Sequence, residues 1–172
     1  AIDSVFTALD DEKRVELTRP IVAARNVWVL SGETSRAGAR ALHSGLSMIR
    51  PGVRSLEEHS FGTDLSDAGR SDVVIVFDFN RYRRQVVSAT RVFSEAGVTV
   101  VEITDSPLSP LVEMAYTWCE IEVPAIGPFD SSLPAVAVAE LLVAQVAKDL
   151  YDEATVRIDR IESLWEDTRV FI

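Results

Sequence analysis

The chain has 172 residues, 47% of them hydrophobic and 26% charged, with a formal net charge of -10. That length fits one domain with a sizeable core. The acidic balance excludes duplex nucleic-acid binding by this segment alone, which needs Lys and Arg against phosphates, and it disfavours an anionic membrane surface. The single cysteine, Cys119, excludes an intrachain disulfide and fits a reducing cytoplasm.

In chain order, the first residues carry no basic n-region, so no secretory leader is expected. Val5 to Ala24 has a helical pattern that Pro20 must kink or restart. Val27-Trp-Val-Leu30 predicts a first strand, and Arg36 to Ile49 a helix ended by Pro51-Gly52. Val53 to Leu56 predicts a second strand and Leu65 to Ala68 a short helix. Val73 to Phe77 is apolar throughout and predicts a strand covered on both faces. Val86 to Ala96 predicts a helix closed by Gly97. Val98 to Ile103 predicts the fourth strand, Pro110 to Ala115 a short helix and Trp118 to Val123 the fifth strand, before a loop at Pro124 to Pro128.

Ser132 to Trp165 reads as a nearly continuous helix. Its first half, Leu133 to Leu150, is apolar almost all round, which implies burial on more than one side and suits an oligomer interface. No run of about 18 apolar residues offers a membrane span.

Strands alternating with helices predict an α/β fold: a three-layer α/β/α sandwich around a five-stranded parallel sheet of flavodoxin-like order 2-1-3-4-5, as a single domain with its core at about 24–150. In that order the ligand crevice opens between strands 1 and 3, beyond their carboxyl ends. Two loops flank it: Ser31-Gly-Glu-Thr-Ser35 and Asp78-Phe-Asn-Arg-Tyr-Arg-Arg84.

From Ser31 to Arg36, the small Gly32, the hydroxyls of Thr34 and Ser35 and the arginine offer a phosphate or sugar-hydroxyl cradle. Thr34 or Ser35 serves equally as a plain helix cap. In the second loop, three arginines stand at a helix start, where unpaired N–H groups and the dipole already favour anions. The alternative is surface arginines paired with nearby acids, Asp78 holding one in a bidentate pair. Thr104, Asp105 and the serines after strand 4 face the same crevice, and Ser109 also suits a cap before Pro110.

His43, on an apolar helix face, and His59, in a loop, read as structural, and Cys119 as a buried strand residue. No GxGxxG, Walker lysine, nucleophile elbow or metal-ligand spacing is present, so no cofactor or metal is expected.

Three stretches carry a family likeness: Phe77-Asp-Phe-Asn-Arg-Tyr82, Ile103-Thr-Asp-Ser-Pro-Leu-Ser-Pro-Leu111 and Pro128-Phe-Asp-Ser-Ser-Leu-Pro-Ala135. Over roughly Ala24 to Glu166 the chain resembles the sugar isomerase (SIS) domain, in particular the C-terminal effector domain of RpiR/MurR-type transcriptional regulators. Ser35 falls at the family's first-loop serine. The family's second loop commonly reads Ser-x-Ser-Gly-x-Thr-x-Glu. Here Asp78, Asn80, Arg81 and Arg83 replace Ser, Ser, Gly and Thr.

The resemblance implies a cytoplasmic, phosphosugar-binding domain that forms a homodimer or larger assembly. DNA would be reached only through an N-terminal domain outside this chain. The expected ligand-binding residues are Gly32, Thr34, Ser35, Asp78, Asn80, Arg81, Arg83, Thr104 and Asp105, with no catalytic residue. Two other readings stand beside it: a ligand-free dimerisation module whose arginines fill the pocket, and a sugar-phosphate isomerase using Glu33, His43 or His59.

Overall fold

Five short apolar runs assemble into one parallel sheet. In the computed structural model, which describes residues 2–171, the strands are β1 (Val27–Ser31), β2 (Val53–Ser55), β3 (Val73–Phe77), β4 (Thr99–Thr104) and β5 (Thr117–Glu120), in the order β2-β1-β3-β4-β5. Both the strand set and the 2-1-3-4-5 order are as expected. Phe77 pairs with Ser31 on one side and Ile103 on the other, so β1, β3 and β4 end level. Among the described residues, no helix is long and apolar enough to cross a membrane.

Seven helices cover the sheet: α1 (Ile2–Ala8), α2 (Asp11–Ala23), α3 (Arg36–Ile49), α4 (Phe61–Asp67), α5 (Arg84–Glu95), α6 (Leu133–Asp149) and α7 (Tyr151–Asp167). Alternating strand side chains divide between two cores. Val29, Ile75, Phe77 and Ile103 face the layer of α2, α3 and α6. Trp28, Leu30, Val74 and Val76 face α5, where Phe93 stacks tilted against Trp28 with ring centroids 5.7 Å apart. Every residue of β3 is buried, because both layers close over it.

Several predicted boundaries move. The N-terminal pattern is two helices, separated where Asp10 caps α2 by accepting the Lys13 N–H at 2.8 Å; Pro20 sits inside α2. The long C-terminal pattern breaks at Leu150 into α6 and α7. The apolar surface of α6 is explained within the chain, since α1, α2 and α3 all pack on it. The loop expected at Pro124 to Pro128 contains half of a small hairpin, β6 (Ala125–Ile126) with β7 (Phe129–Asp130), turned at Gly127 with φ 63°.

The α3–α6 crossing positions the first candidate loop, and it depends on Gly38. A Cβ there would lie 2.7 Å from the Ala135 Cβ and 2.8 Å from the Ala135 carbonyl oxygen, and backbone cannot swing aside as a side chain can. Gly38→Ala is therefore expected to lower stability by about 1–3 kcal/mol, read as an earlier midpoint in urea denaturation with an unchanged slope.

Candidate functional site

The two loops at the switch point converge. The Gly32 N–H donates to the Phe77 carbonyl at 3.0 Å, and the Ser35 hydroxyl donates to the same oxygen at 2.6 Å. Ser35 stands at the N-cap position of α3, but its buried hydroxyl makes no cap bond; it ties the β1 loop to the end of β3. Thr34 is exposed.

Asp78 lies behind this junction and is 1% exposed. Its Oδ2 accepts the Arg83 N–H at 3.3 Å, and the Phe79 N–H is also turned to it. Gly32 is required here: a Cβ on it would sit 2.5 Å from Asp78 Oδ1. The expected bidentate pair between Asp78 and an arginine is absent, because the carboxylate meets backbone N–H groups and not a guanidinium.

The N–H groups of Asn80 and Arg81 are engaged by side chains too. Asn80 donates its N–H to Asp105 Oδ2 at 2.9 Å, and Arg81 donates to Asn80 Oδ1 at 2.9 Å. The Tyr82 hydroxyl donates to Asp105 Oδ1 at 3.0 Å and lies 3.4 Å from the buried Thr104 hydroxyl. Arg81 holds φ 73°, the left-handed conformation that a glycine takes without strain. Its side chain is exposed and, among the described residues, makes no ion pair.

Beneath the turn lies a second buried acid. Glu102, on β4, is fully buried; Ser109 donates to its Oε1, and its Oε2 has no hydrogen-bond partner. Burial pushes both Asp78 and Glu102 up to about 7, and the charge of Asp105 adds to the rise in each.

The open space lies to the β1–β2 side of this turn. A cleft of about 410 Å³ is bounded by the Ser31–Glu33 loop, one face of α3, the end of β2 with Leu56 and Glu57, Phe61 of α4 and the first turn of α5. Arg36, Arg40 and His43, at i, i+4 and i+7, line its α3 wall, and Arg83 faces them. Glu33 stands between the two sides: its Oε1 is 3.5 Å from Arg36 and its Oε2 3.5 Å from Arg83. All three side chains are more than half exposed, so these are weak surface pairs.

Of the ligand-binding candidates named from sequence, only Gly32 and Arg83 line the cleft; Glu33 and His43, named for the isomerase reading, line it too. Ser35, Asp78, Asn80, Thr104 and Asp105 are bonded within the protein, and the exposed Arg81 and Thr34 do not line the cleft. Of the α3 basic face only Arg36 was anticipated, although the spacing of Arg36, Arg40 and His43 on one predicted helix was the available signal. His43, expected to be structural, borders the cleft; His59 is exposed.

The SIS domain family profile matches residues 24–145. The chain belongs to the SIS domain family. No curated protein matches it by sequence. Among solved structures, the SIS fold here is similar to the sugar isomerase domain of an RpiR transcription factor from Sphaerobacter thermophilus. That likeness has a TM-score of 0.85 and 22% identity over 94% of this chain and 92% of that one. It is also similar to Vibrio vulnificus NanR complexed with ManNAc-6P, with a TM-score of 0.81 and 16% identity over 97% of this chain and 66% of that one. A third similar structure is a hypothetical protein of Methanococcus jannaschii inferred to be a 3-hexulose-6-phosphate isomerase, with a TM-score of 0.73 and 16% identity over 91% and 92%.

Two measurements check the local physics. A carboxyl whose folded pKa is raised binds more protons folded than unfolded, so stability falls as pH rises from about 4 to about 7 and is level above. Glu102→Gln is therefore expected to stabilise the fold by about 2 kcal/mol at pH 8 and much less at pH 5, read by denaturant titration at both values. At the left-handed position, Arg81→Val is expected to lower stability by about 1–2 kcal/mol while Arg81→Gly does not lower it, compared by thermal melts.

Proposed function

We propose that this SIS domain is the ligand-sensing, dimerising part of an RpiR-type transcriptional regulator and that it binds a sugar phosphate in the β1–β2 cleft. The observation that carries the reading is the convergence of Arg36, Arg40 and Arg83 on one polar cleft in a chain of net charge -10. Guanidiniums suit a phosphate because their paired donors match its oxygens. Ser31, Ser55 and Gln85 border the same space and suit sugar hydroxyls, while Leu56 and Phe61 suit a ring face. The likeness to an RpiR factor and to NanR complexed with ManNAc-6P supports the same ligand class.

Ligand closing the cleft would draw α3 and α5 together and shift a dimer arrangement that attached DNA-binding domains read. Support for a homodimer comes from apolar side chains left on the surface: Tyr151 and Val156 on α7 are 69% and 70% exposed, and Phe129 on the hairpin is 75% exposed. An isomerase reading draws on Glu57 and His43, a carboxylate and an imidazole that border the cleft and could shuttle a proton between sugar carbons.

A thermal-shift screen against sugar phosphates separates these readings. A ligand near 100-fold above its Kd is expected to add about 2.7 kcal/mol, which raises the melting temperature of a chain this long by roughly 5–10 °C. The Arg36→Ala, Arg40→Ala double variant loses that shift, and no ligand that binds is turned over. Absence of any hit, or a shift untouched by the double variant, removes the sensing assignment; turnover lost in Glu57→Gln establishes the isomerase instead.

A further inference from the structure

We propose that Asp78 decides where this cleft accepts negative charge: it seats a carboxylate of the protein's own against the Gly32 loop and the Arg83 N–H, so that a ligand's phosphate is held by the guanidiniums of Arg36, Arg40 and Arg83 and not by the β3–α5 turn. The inference rests on the binding mode of the preceding reading and deepens it, by assigning the specificity of the site to a residue that does not line it.

A turn at a helix start attracts an anion because its N–H groups lack partners. In this turn three N–H groups already have side-chain partners. The N–H groups of Asn80, Arg81 and Arg83 go to Asp105, to the Asn80 side chain and to Asp78. Two of the three acceptors are carboxylates, so the turn is neutralised as well as satisfied. No side chain offers to vacate the position at low cost, since Asp78 is 1% exposed and locked between the Gly32 backbone and the turn.

A second phosphate oxygen cluster beside Asp78 would meet like charge in a region of low dielectric. The guanidiniums of Arg36 and Arg83 meet instead at Glu33, which is mostly exposed and holds each only at 3.5 Å. An incoming anion can take that place. The ligand class that follows is one recognised by exposed arginine side chains, so its binding should weaken steeply with salt, unlike an anion enclosed by backbone N–H groups.

The test uses sulfate, whose charge is constant across the working range, at pH 8, where Asp78 is ionised. In the parent protein, NMR titration is expected to move the guanidinium signals of Arg36 and Arg40 and to leave the backbone amides of Asn80 and Arg81 in place. Calorimetry is expected to show sulfate bound at least tenfold more tightly by Asp78→Ser and Asp78→Asn, each checked for folding by circular dichroism. That gain persists when Arg36 and Arg40 are also replaced by alanine.

Movement of the Asn80 and Arg81 amides in the parent overturns the inference, and needs no variant to fold. So does equal affinity in parent and Asp78 variants. Silence of the arginine signals with both sulfate and sugar phosphates overturns the binding mode proposed above instead. A tenfold gain in the Asp78 variants alongside that silence would still leave the assignment of Asp78 standing.

Discussion

Strand β3 has no exposed face, and the rest of the molecule is arranged around that constraint. In the order β2-β1-β3-β4-β5, right-handed connections leaving β1 and β3 for opposite neighbours run to opposite layers. Helix α3 follows β1 into the layer with α6, and α5 follows β3 into the layer that holds Phe93. Two helix starts thus diverge from adjacent strand ends that finish level, and the crevice between them is unavoidable. The sheet supplies the place; side chains decide what the place does.

What they do is set by a collision of charges. Asp78, Glu102 and Asp105 gather at the ends of β3 and β4, two of them buried deeply enough to be pushed to about 7. Such a group is unfavourable unless N–H groups or cations face it. The turn from Asn80 to Arg83 provides the N–H groups, and Arg81 accepts a left-handed backbone to complete it. The guanidinium of Arg83 faces the other way, into the cleft. One short loop thereby separates an acidic, inward half from a basic, outward half, and the order Asp-Phe-Asn-Arg-Tyr-Arg-Arg states that division along the chain.

The fold was legible because its signals are local and redundant. Val73 to Phe77 admits no reading other than a strand covered twice, and each helix carries its own periodicity. Breaks at Leu150 and Asp10 were less legible, since both interrupt patterns that stay helical on either side. The site was legible only to the level of which loops meet. The Asp78–Arg84 loop was correctly placed beside Ser31–Ser35, but the direction of each side chain depends on contacts between residues more than twenty positions apart: Asn80 with Asp105, Ser35 with Phe77, Gly32 with Asp78. A serine hydroxyl and a carboxylate look the same in sequence whether they face a ligand or the protein. The rest of the basic face of α3 was hidden for the converse reason, because Arg40 and His43 are unremarkable until β2 and α4 supply the opposite wall.

Arg83 joins the two halves and shows how a cleft of this kind would report its occupancy. Its N–H is fixed to a buried carboxylate, while its guanidinium rests on an exposed one. The backbone end is held and the side-chain end is exchangeable. An anion that displaces Glu33 would pull on Arg83 from the front while Asp78 holds it from behind. Arg83 is also the N-cap residue of α5, so that tension would act on the helix as a unit. On the opposite wall Arg36 begins α3, which packs closely on α6 through Gly38. A ligand bridging the two arginines would therefore couple the two helical layers across a sheet too well packed to yield. In an enzyme such coupling would be incidental to the chemistry; in a sensor it is the output.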